Sequence, residues 1–497
     1  MILNGRISTV SAWLDTLPIE VLNSQPYIVA LQGNIAMVTG DTKLALNLFN
    51  QALEKMEFAE DGIRLINTLS MRSAAYRVLG KIDEARNDAN AILISTEGNK
   101  SYKKLYGEAL RVIGLCDFHQ GKLYDALQNL ESALDVMIAL NYQKSIAMIK
   151  VEIGLVQENL GNYVGSKSNY QEAINYWKKI ENPFWISNIL NNLGVLYQMT
   201  GDYKEASFSY DQAIKYARAC GYSRMEAYIL TGIGDIYSEI NSDEHATQAY
   251  LMAEEIADRT QELFLQIYIR IQKAALFAFR RDFGKAYKML DLARDLLKSG
   301  PSDMERNLIE LEFSGIKIQE NCASEVLPSL EKICEFFESG GHKTQFEKAH
   351  FYLLLGYIST NQHEKVIENL LHLLSSIQGE YPPASLIALA SRYKRKLSDY
   401  SPSYLQSEYQ LFTQLIEEFT EKLASLRRDI RKTSTMVQFS EAAIKIRSFG
   451  RMEVSVQTHT ITNSEWQTQA AKELFYLLLA RPEGLTKEEI RDRKSVV

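Results

Sequence analysis

Residues 183–218, PFWISNILNNLGVLYQMTGDYKEASFSYDQAIKYAR, decide the fold. Pro183 favours the first turn of a helix, where its missing amide hydrogen does no harm. Apolar residues then recur at helical spacing as far as Tyr197, and Gly201-Asp202 breaks the helix. The residues that follow return to helical spacing. The stretch therefore predicts two helices joined by a tight turn.

Small residues in both helices predict how the pair packs. Gly194 in the first helix lets its partner approach closely, and Ala206 and Ala213 in the second helix accept that approach. Tyr197 and Tyr210 are expected to fill the remaining space. We interpret the unit as a closely packed helical hairpin.

The same pattern recurs along the chain with a period of about 40 residues. The small first-helix residue recurs as Gly33, Gly114, Gly154, Gly194, Gly234 and Ala274, with Ser73 between the first two. The predicted repeat-packing residues are Gly33, Ala45, Ala52, Gly114, Ala126, Ala133, Gly154, Ala173, Gly194, Tyr197, Ala206, Tyr210, Ala213, Gly234, Tyr237, Ala246, Tyr250, Ala253, Ala274, Ala286 and Ala293. Beyond residue 300, Gly315 and Gly356 keep the spacing but the second-helix alanines are lost, and we still expect hairpins there.

A regular period in this range predicts a solenoid, in which each unit buries its apolar surface against its neighbours. The expected fold is all-α, a right-handed solenoid of helical hairpins over residues 1–375. Such an array indicates a binding scaffold rather than an enzyme. Tyr163 and Tyr203, which follow the turns, are expected to pack between repeats.

The pattern L-G-x-x-Y-x-x-x-G-D-Y-x-x-A-x-x-x-Y-x-x-A resembles the tetratricopeptide repeat, whose common unit has 34 residues. The longer unit found here is similar to the repeat domain of MalT-like bacterial transcription regulators. Trp13-Leu14, Leu17-Pro18 and Pro26 resemble the start of that domain. The resemblance implies an inducer or partner protein on the concave face, and a nucleotide-binding switch domain ahead of the repeats in the full-length protein.

Residues 376–432 are expected to form capping or linker helices. Apolar residues there alternate at spacings of four and three, typical of a 3.5-residue seam. The seam comprises Leu405, Tyr409, Phe412, Ile416, Phe419, Leu423, Leu426 and Ile430. One interpretation is a coiled coil over Leu405–Ile430 that makes a homodimer. The other, which Phe412 and Phe419 favour, is a helix that caps the open end of the solenoid. Arg427, Arg428, Arg431 and Lys432 form either a solvated face or a DNA contact.

A linker at 433–443 separates the solenoid from a second domain at 444–491. Ile444, Ile446, Met452, Val454 and Val456 alternate with polar residues and predict two strands around a turn at Phe449-Gly450, and a helix follows from Ala470 to Leu478. Thr486 to Glu489 is a capping box that starts another helix. The order resembles an incomplete winged-helix domain of the OmpR type found in BTAD-containing activators. The residues that carry this resemblance are Trp466, Lys472, Glu473, Leu474, Leu477, Leu478 and Leu485.

The recognition helix and the wing of such a domain would lie beyond the capped helix. The last six residues, 492–497, read DRKSVV and match the translation of a sequencing adapter, so we expect a non-native tail. For the chain as given we therefore expect little or no sequence-specific DNA binding. The residues that contact DNA cannot be assigned from the sequence.

Composition excludes several function classes. The chain has 497 residues and a net charge of −7, which argues against a wholly basic nucleic-acid binder. Cys116, Cys220, Cys322 and Cys334 form no metal-binding pair and indicate free thiols in a reducing cytoplasm. No apolar run reaches the length of a membrane span. Acidic residues form no catalytic pair and are expected mostly on solvated helix faces.

Catalytic, metal and cofactor sites are not predicted. The histidines show no metal-binding spacing, and Ser339–Thr344 lacks the glycines of a phosphate loop and is interpreted as a turn. We expect no enzyme activity and no cofactor. Two functions remain open. One is the signal-sensing part of a bacterial transcription regulator that binds promoter DNA in its full-length form. The other is a protein–protein scaffold without DNA binding.

Overall fold

The computed structural model describes residues 7–14, 16–56, 58–96, 102–298, 302–377, 382–400, 406–434, 437, 444–447, 453–456, 459–462, 465–466 and 468–481. The chain divides into two compact units, Met1–Val437 and Gln438–Val497. The first unit is helical, and the second contains a small antiparallel sheet and a helix.

The first unit is an array of helical hairpins preceded by two short helices, α1 (Ile7–Leu14) and α2 (Ile19–Ser24). The early hairpins pair α3 (Pro26–Thr39) with α4 (Thr42–Leu53), α5 (Phe58–Val78) with α6 (Ile82–Thr96), α7 (Lys103–His119) with α8 (Leu123–Ala139), and α9 (Gln143–Asn159) with α10 (Tyr163–Lys179). The middle hairpins pair α11 (Pro183–Met199) with α12 (Tyr203–Cys220), α13 (Ser223–Glu239) with α14 (Asp243–Thr260), and α15 (Leu263–Phe279) with α16 (Phe283–Leu297). The last hairpins pair α17 (Asp303–Gln319) with α18 (Ala323–Gly340) and α19 (Lys343–Ser359) with α20 (His363–Ile377). The predicted helical-hairpin solenoid is confirmed, including the hairpins beyond residue 300.

The α11–α12 hairpin shows why the sequence folds in this way. The Asn182 side chain caps α11 by accepting a hydrogen bond from the Trp185 amide at 3.2 Å. Gly201 ends the helix in a left-handed conformation, with φ of 82°, which glycine adopts at little cost. Asp202 then caps α12 through the Glu205 amide, also at 3.2 Å. The turn residues therefore set both helix boundaries locally.

Left-handed residues repeat at the turns with the same period as the packing residues. Within the hairpins they are Gly40, Gly80, Gly121, Gly161, Gly201, Asn241, Arg281, Asn321 and Asn361. Between hairpins they are Asn141, Glu181, Gly221, Gln261 and Gly341. The 40-residue period is thus a property of the backbone as well as of the side chains.

The hairpin array coils back on itself. The Thr42 hydroxyl donates a hydrogen bond to the Thr260 carbonyl at 3.4 Å, across 218 residues of sequence. The His342 ring nitrogen Nε2 lies 2.8 Å from the Gly121 carbonyl oxygen, across 221 residues. Repeats that are far apart in sequence therefore contact each other, and the first helices enclose a lumen.

Three further helices follow the array: α21 (Ala384–Arg392), α22 (Lys394–Ser398) and α23 (Gln406–Thr433). They do not simply cap the last hairpin, because α21 packs on α11, α13 and α19, and α23 packs on α12 as well as on α20 and α21. Arg427 on α23 donates to the Ile240 carbonyl at 2.7 Å, and Thr433 donates to the Ser207 hydroxyl at 2.9 Å. The segment returns from the end of the array to its middle.

The seam of α23 is buried against the same chain. Tyr409, Phe412, Ile416, Leu423 and Ile430 are all buried. Leu405, the first residue of the predicted seam, lies outside the described residues. Since the solenoid already covers the seam, it is not free to form the coiled-coil dimer that was one of the two predictions.

The two tyrosines that follow turns also contact more distant elements than expected. The Lys343 ammonium on α19 lies 5.6 Å from the centre of the Tyr163 ring. The Tyr203 ring lies 6.1 Å from that of Phe419 on α23. These contacts join successive turns of the coil and the returning segment, so both tyrosines also contact elements beyond the adjacent repeats.

The second unit begins with three antiparallel strands in sequence order, β1 (Ile444–Arg447), β2 (Glu453–Val456) and β3 (His459–Thr460). A helix, α24 (Gln469–Leu479), follows and is capped by the Thr468 hydroxyl. The strands at 444–447 and 453–456 and the helix agree with the sequence prediction, whereas β3 was not predicted. Phe449-Gly450, Met452, Leu485, the helix from Thr486 and residues 492–497 lie outside the described residues. Among the helices that the structure describes, none is both long and apolar enough to cross a membrane.

Candidate functional site in the lumen of the solenoid

The first unit contains a cavity of about 240 Å³ in its lumen. Side chains from the first helices α11, α13, α15, α17 and α19 line it, and α21 closes one side. The cavity is far larger than a single buried water requires. Its walls therefore come both from the repeat array and from the segment that returns to it.

Two carboxylates of α13 project into this cavity. Asp235 accepts hydrogen bonds from the hydroxyls of Tyr250 at 2.6 Å and Tyr268 at 3.1 Å. Glu239 Oε1 accepts from Gln198 Nε2 at 2.9 Å and from the Ser385 hydroxyl of α21 at 2.8 Å. Among the described residues, the donors of these hydrogen bonds are all neutral.

The second oxygen of Glu239, Oε2, is one of several buried polar atoms that form no hydrogen bond of ordinary geometry with the described residues. The Tyr203 hydroxyl is another, and it lies near enough to act on the Glu239 carboxylate. Burial raises the pKa of Tyr203, and the nearby Glu239 carboxylate raises it further. A buried acceptor without a donor costs free energy, so Glu239 Oε2 can stabilise a donor brought by a ligand.

Burial changes the titration of both groups. It raises the pKa of Asp235 to about 7, and the hydrogen bond from Tyr250 only partly opposes this effect. Burial also raises the pKa of Glu239, and the donors Gln198, Ser385 and Tyr203 only partly oppose this effect. Both carboxyls are therefore poised to change protonation when the charge in the cavity changes.

The two cations that line the cavity are already paired. Lys348 lies 2.6 Å from Glu312, which is buried. Arg392 of α21 lies 2.6 Å from Asp243 and also donates to the Ser238 carbonyl. Each cation is therefore neutralised by a carboxylate other than Asp235 or Glu239.

Aromatic side chains form much of the remaining wall. Tyr210, Tyr250, Tyr268, Tyr352 and Phe279 all line the cavity. The Arg392 guanidinium lies 4.5 Å from the centre of the Phe279 ring, so one aromatic face already holds a cation. The chemistry of the site combines anionic oxygens with aromatic surface.

The structure places the sequence-predicted packing residues mainly between the two helices of each hairpin. An added Cβ would approach a second-helix side chain within 3 Å at each predicted glycine: Gly33 at Phe49, Gly114 at Leu130, Gly154 at Tyr170, Gly194 at Tyr210 and Gly234 at Tyr250. The predicted small residues with no exposed surface are Ala45, Ala52, Ala126, Ala133, Ala206, Ala213, Ala246, Ala253, Ala274, Ala286 and Ala293, and Ala173 is also buried.

The predicted tyrosines divide into two groups. Tyr210 and Tyr250 pack against the glycines and also reach the cavity. Tyr197 is half-buried beneath the Lys167 ammonium, and Tyr237 is buried and stacks on His245. Two of the predicted packing residues are thus also part of the candidate site.

Sequence reasoning missed the polar half of the site. It placed acidic residues mostly on solvated faces, whereas Glu158, Glu312 and Glu347 are buried and Asp235 and Glu239 line the cavity. The available signal was a set of polar residues on the inward face of the first helices, where a packed array would need apolar ones. Because the sequence does not reveal the coiling of the array, the inward face could not be distinguished from a solvent-exposed face.

A comparison with protein families matches residues 145–219 to the tetratricopeptide repeat. These residues lie in α9 to α12, so the match covers two of the hairpins. A search of curated proteins by sequence found no match.

Several solved structures are similar to the chain. A Rap protein complexed with Competence and Sporulation Factor has 13% identity and a TM-score of 0.49, over 81% of this chain and 99% of that one. The quorum sensor NprR from B. thuringiensis has 15% identity and a TM-score of 0.45, over 69% and 95%. The Rap conjugation gene regulator of plasmid pLS20, in complex with the Phr* peptide, has 16% identity and a TM-score of 0.45, over 56% and 77%.

Proposed function

We propose that the protein is a ligand-controlled, non-enzymatic transcription regulator in which the lumen cavity binds the signal. The observation that carries this proposal is the shared wall of the cavity. Ser385 and Arg392 of α21 line it beside the solenoid helices. The same segment leads along the chain toward the second unit, so a ligand in the cavity meets the element best placed to report its presence.

The contacts of α21 supply the coupling. We call the bonds from Ser385 to Glu239 and from Arg392 to Asp243 and the Ser238 carbonyl the α21 latch. A ligand that engages Glu239 competes with Ser385 for the same carboxylate. It therefore favours an unlatched state, and it does so only by its difference in affinity for the two states. Coupling of this kind typically amounts to about 1–3 kcal/mol, or about 5- to 150-fold in affinity.

The second unit supports a role in DNA binding through its order of elements. An antiparallel sheet followed by a capped helix is how a winged-helix domain of the kind resembled begins. The helix that would read the major groove belongs to the part of such a domain that follows. The proposed promoter binding requires that helix.

The test is DNA binding by the full-length protein, measured by fluorescence anisotropy on the DNA upstream of its own gene. Binding should weaken steeply with salt because phosphate contacts dominate affinity. Arg392→Ala, which breaks the latch, should raise the affinity by about 5- to 150-fold. Arg306→Ala is the control, since Arg306 forms an exposed ion pair outside the cavity. Absence of any DNA binding at low salt would refute the regulator.

A protein–protein scaffold without DNA binding is the second candidate. The match of residues 145–219 to the tetratricopeptide repeat favours it, because that match involves the array alone. It predicts that the full-length protein does not bind its upstream DNA and that Arg392→Ala has no effect there.

A further inference from the structure

The charged side chains that line the cavity do not pair directly with one another. They are two carboxylates, Asp235 and Glu239, and two cations, Lys348 and Arg392. Glu312 and Asp243 neutralise these two cations by direct contact. The two α13 carboxylates, Asp235 and Glu239, are therefore left without a direct ion pair among the described residues, although Lys348 lies near enough to act on Asp235. Of the lining residues that the structure describes, no further one carries a positive charge.

The geometry supports the same conclusion. Glu239 Oε2 and the nearby Tyr203 hydroxyl are shielded from solvent, and neither forms a hydrogen bond of ordinary geometry with any described residue, so a ligand can satisfy them. Glu312, beside Lys348 on the wall, is only 1% exposed and also has one oxygen, Oε1, without a described donor. An anionic ligand would meet repulsion from both α13 carboxylates. A neutral ligand could donate a hydrogen bond to Glu239, but it would leave the negative charge of the two α13 carboxylates uncompensated.

The aromatic wall suits the same kind of group. Tyr210, Tyr250 and Tyr268 surround the α13 carboxylates, and the face of an aromatic ring attracts cations. We propose that the cavity binds a cationic nitrogen, an ammonium or guanidinium group of a small molecule or a peptide, with Glu239 and Asp235 as its counter-charges. This inference rests on the proposed function, in which the cavity is the signal site.

Proton release gives a signature of this binding mode. The groups that face Asp235 are Tyr250 from α14, Tyr268 from α15, Lys348 from α19 and Glu239 on its own helix. Because burial raises the pKa of Asp235 to about 7, part of the unliganded protein holds a proton there at neutral pH. A bound cation favours the ionised carboxylate, so a proton leaves on binding and affinity rises as the pH increases through 7.

The experiment is titration calorimetry of the full chain with matched probe pairs. One pair is n-butylguanidinium and n-butylurea, and the other is the N-acetylated, C-amidated tripeptide Ala-Arg-Ala and its citrulline analogue, which carries no cationic nitrogen. In each pair the two compounds have nearly the same shape and differ in charge. We expect at least one cation to bind about tenfold or more tighter than its neutral twin. A preference within the first pair alone identifies a small-molecule source, and one within the second pair alone identifies a peptide.

Two variants locate the binding. Glu239→Gln keeps a hydrogen-bonding side chain but removes the charge, and it should lower affinity for the cation about tenfold or more. Glu172→Gln is the matched control, because Glu172 is exposed, pairs with Lys150 and does not line the cavity. Thermal melts of both variants verify folding. Asp235→Asn should abolish the rise of affinity around pH 7.

Several outcomes would overturn the inference. These are equal affinity for charged and neutral twins, no binding of either cation at about 10 mM, or full affinity in Glu239→Gln. None of these outcomes would contradict the proposed function, because the effect of Arg392→Ala on DNA binding is measured without a ligand. Conversely, a cation site in a protein that binds no DNA would refute the regulator alone.

Discussion

Gly194 makes the closest approach in the α11–α12 hairpin. A Cβ at this position would lie 2.6 Å from Tyr210 Cε1. Tyr210 is fully buried and its ring also lies against Gly232 of α13, where an added Cβ would be 2.5 Å from Cζ, so the ring has little freedom to retreat. The same relation joins Gly154 with Tyr170 and Gly234 with Tyr250. The glycine–tyrosine pair therefore sets the spacing of the hairpin and part of the cavity wall together.

Gly194→Ala should destabilise the protein. Overpacking costs about 1–3 kcal/mol, which exceeds the gain of up to about 1 kcal/mol from better helix propensity. The control is Gly284→Ala in α16, where nothing lies within 4 Å of the added carbon. That control should be neutral or stabilising in urea unfolding, and a loss of stability there equal to that of Gly194→Ala would contradict the steric account.

Glu158 gives a pH-dependent prediction at the residue scale. It is buried in α9 with a hydrogen bond from the Tyr170 hydroxyl at 3.2 Å, and burial raises its pKa to about 8. Because its pKa is higher when folded, its contribution to stability is complete below the unfolded pKa and is lost as the pH rises toward 8. Glu158→Gln should therefore unfold at higher urea concentration than the wild type at pH 9, with a smaller difference at pH 5. Equal midpoints at pH 9 would show that the carboxyl is not desolvated.

At the scale of elements, His342 joins two turns of the coil. Its Nε2–H donates to the Gly121 carbonyl, while burial of the ring lowers its pKa. Because the pKa of His342 is lower in the folded state than in the unfolded state, its contribution to stability is complete above about pH 6.5. That contribution is lost as the pH falls through the pKa of the folded state. Lowering the pH therefore weakens the contact between α7–α8 and α18–α19.

His342→Ala should cost about 1–3 kcal/mol, because it leaves a buried carbonyl without its donor. Hydrogen exchange should accelerate at the turn around Gly121 as well as at position 342, although 221 residues separate them. His363→Ala, at the exposed start of α20, should change neither site. Unchanged exchange at Gly121 in His342→Ala would contradict closure of the coil.

Helix α23 provides a second element-scale prediction. Phe412 has no exposed surface, so Phe412→Ala should destabilise the protein by about 3–5 kcal/mol. Leu411→Ala, at the exposed neighbour, should stay within about 0.5 kcal/mol of the wild type. Sedimentation should give the same mass for both variants and the wild type. A change from dimer to monomer in Phe412→Ala would restore the coiled-coil interpretation of the seam.

These elements also show what the sequence could predict. The hairpins were predictable because Gly194, Gly201 and Ala206 act over one 40-residue unit, through local spacing and turn chemistry. The seam of α23 was ambiguous because a 3.5-residue pattern fits a partner chain and an internal groove equally well. The contacts that close the coil could not be predicted from the sequence, because no local pattern links His342 to Gly121.

At the scale of the whole first unit, coiling converts an open array into an enclosed site. The inward polar residues, such as Asp235 and Glu239, are enclosed in part by α19 and α21, which complete the cavity wall. The packing half of the site was therefore predictable, through Tyr210 and Tyr250, whereas the charged half depends on tertiary contacts. The returning segment allows the site to respond to a ligand, because the hydrogen bonds of the α21 latch compete with those that the ligand would form.

The central claim is that a cation in the cavity loosens the α21 latch. The most direct measurement is hydrogen exchange of the full chain with and without saturating n-butylguanidinium, in the wild type and in Glu239→Gln. We predict faster exchange across α21 and α23 in the liganded wild type, no change in α3 to α6, and no response in Glu239→Gln. Unchanged exchange in α21 and α23 of the saturated wild type would contradict the account.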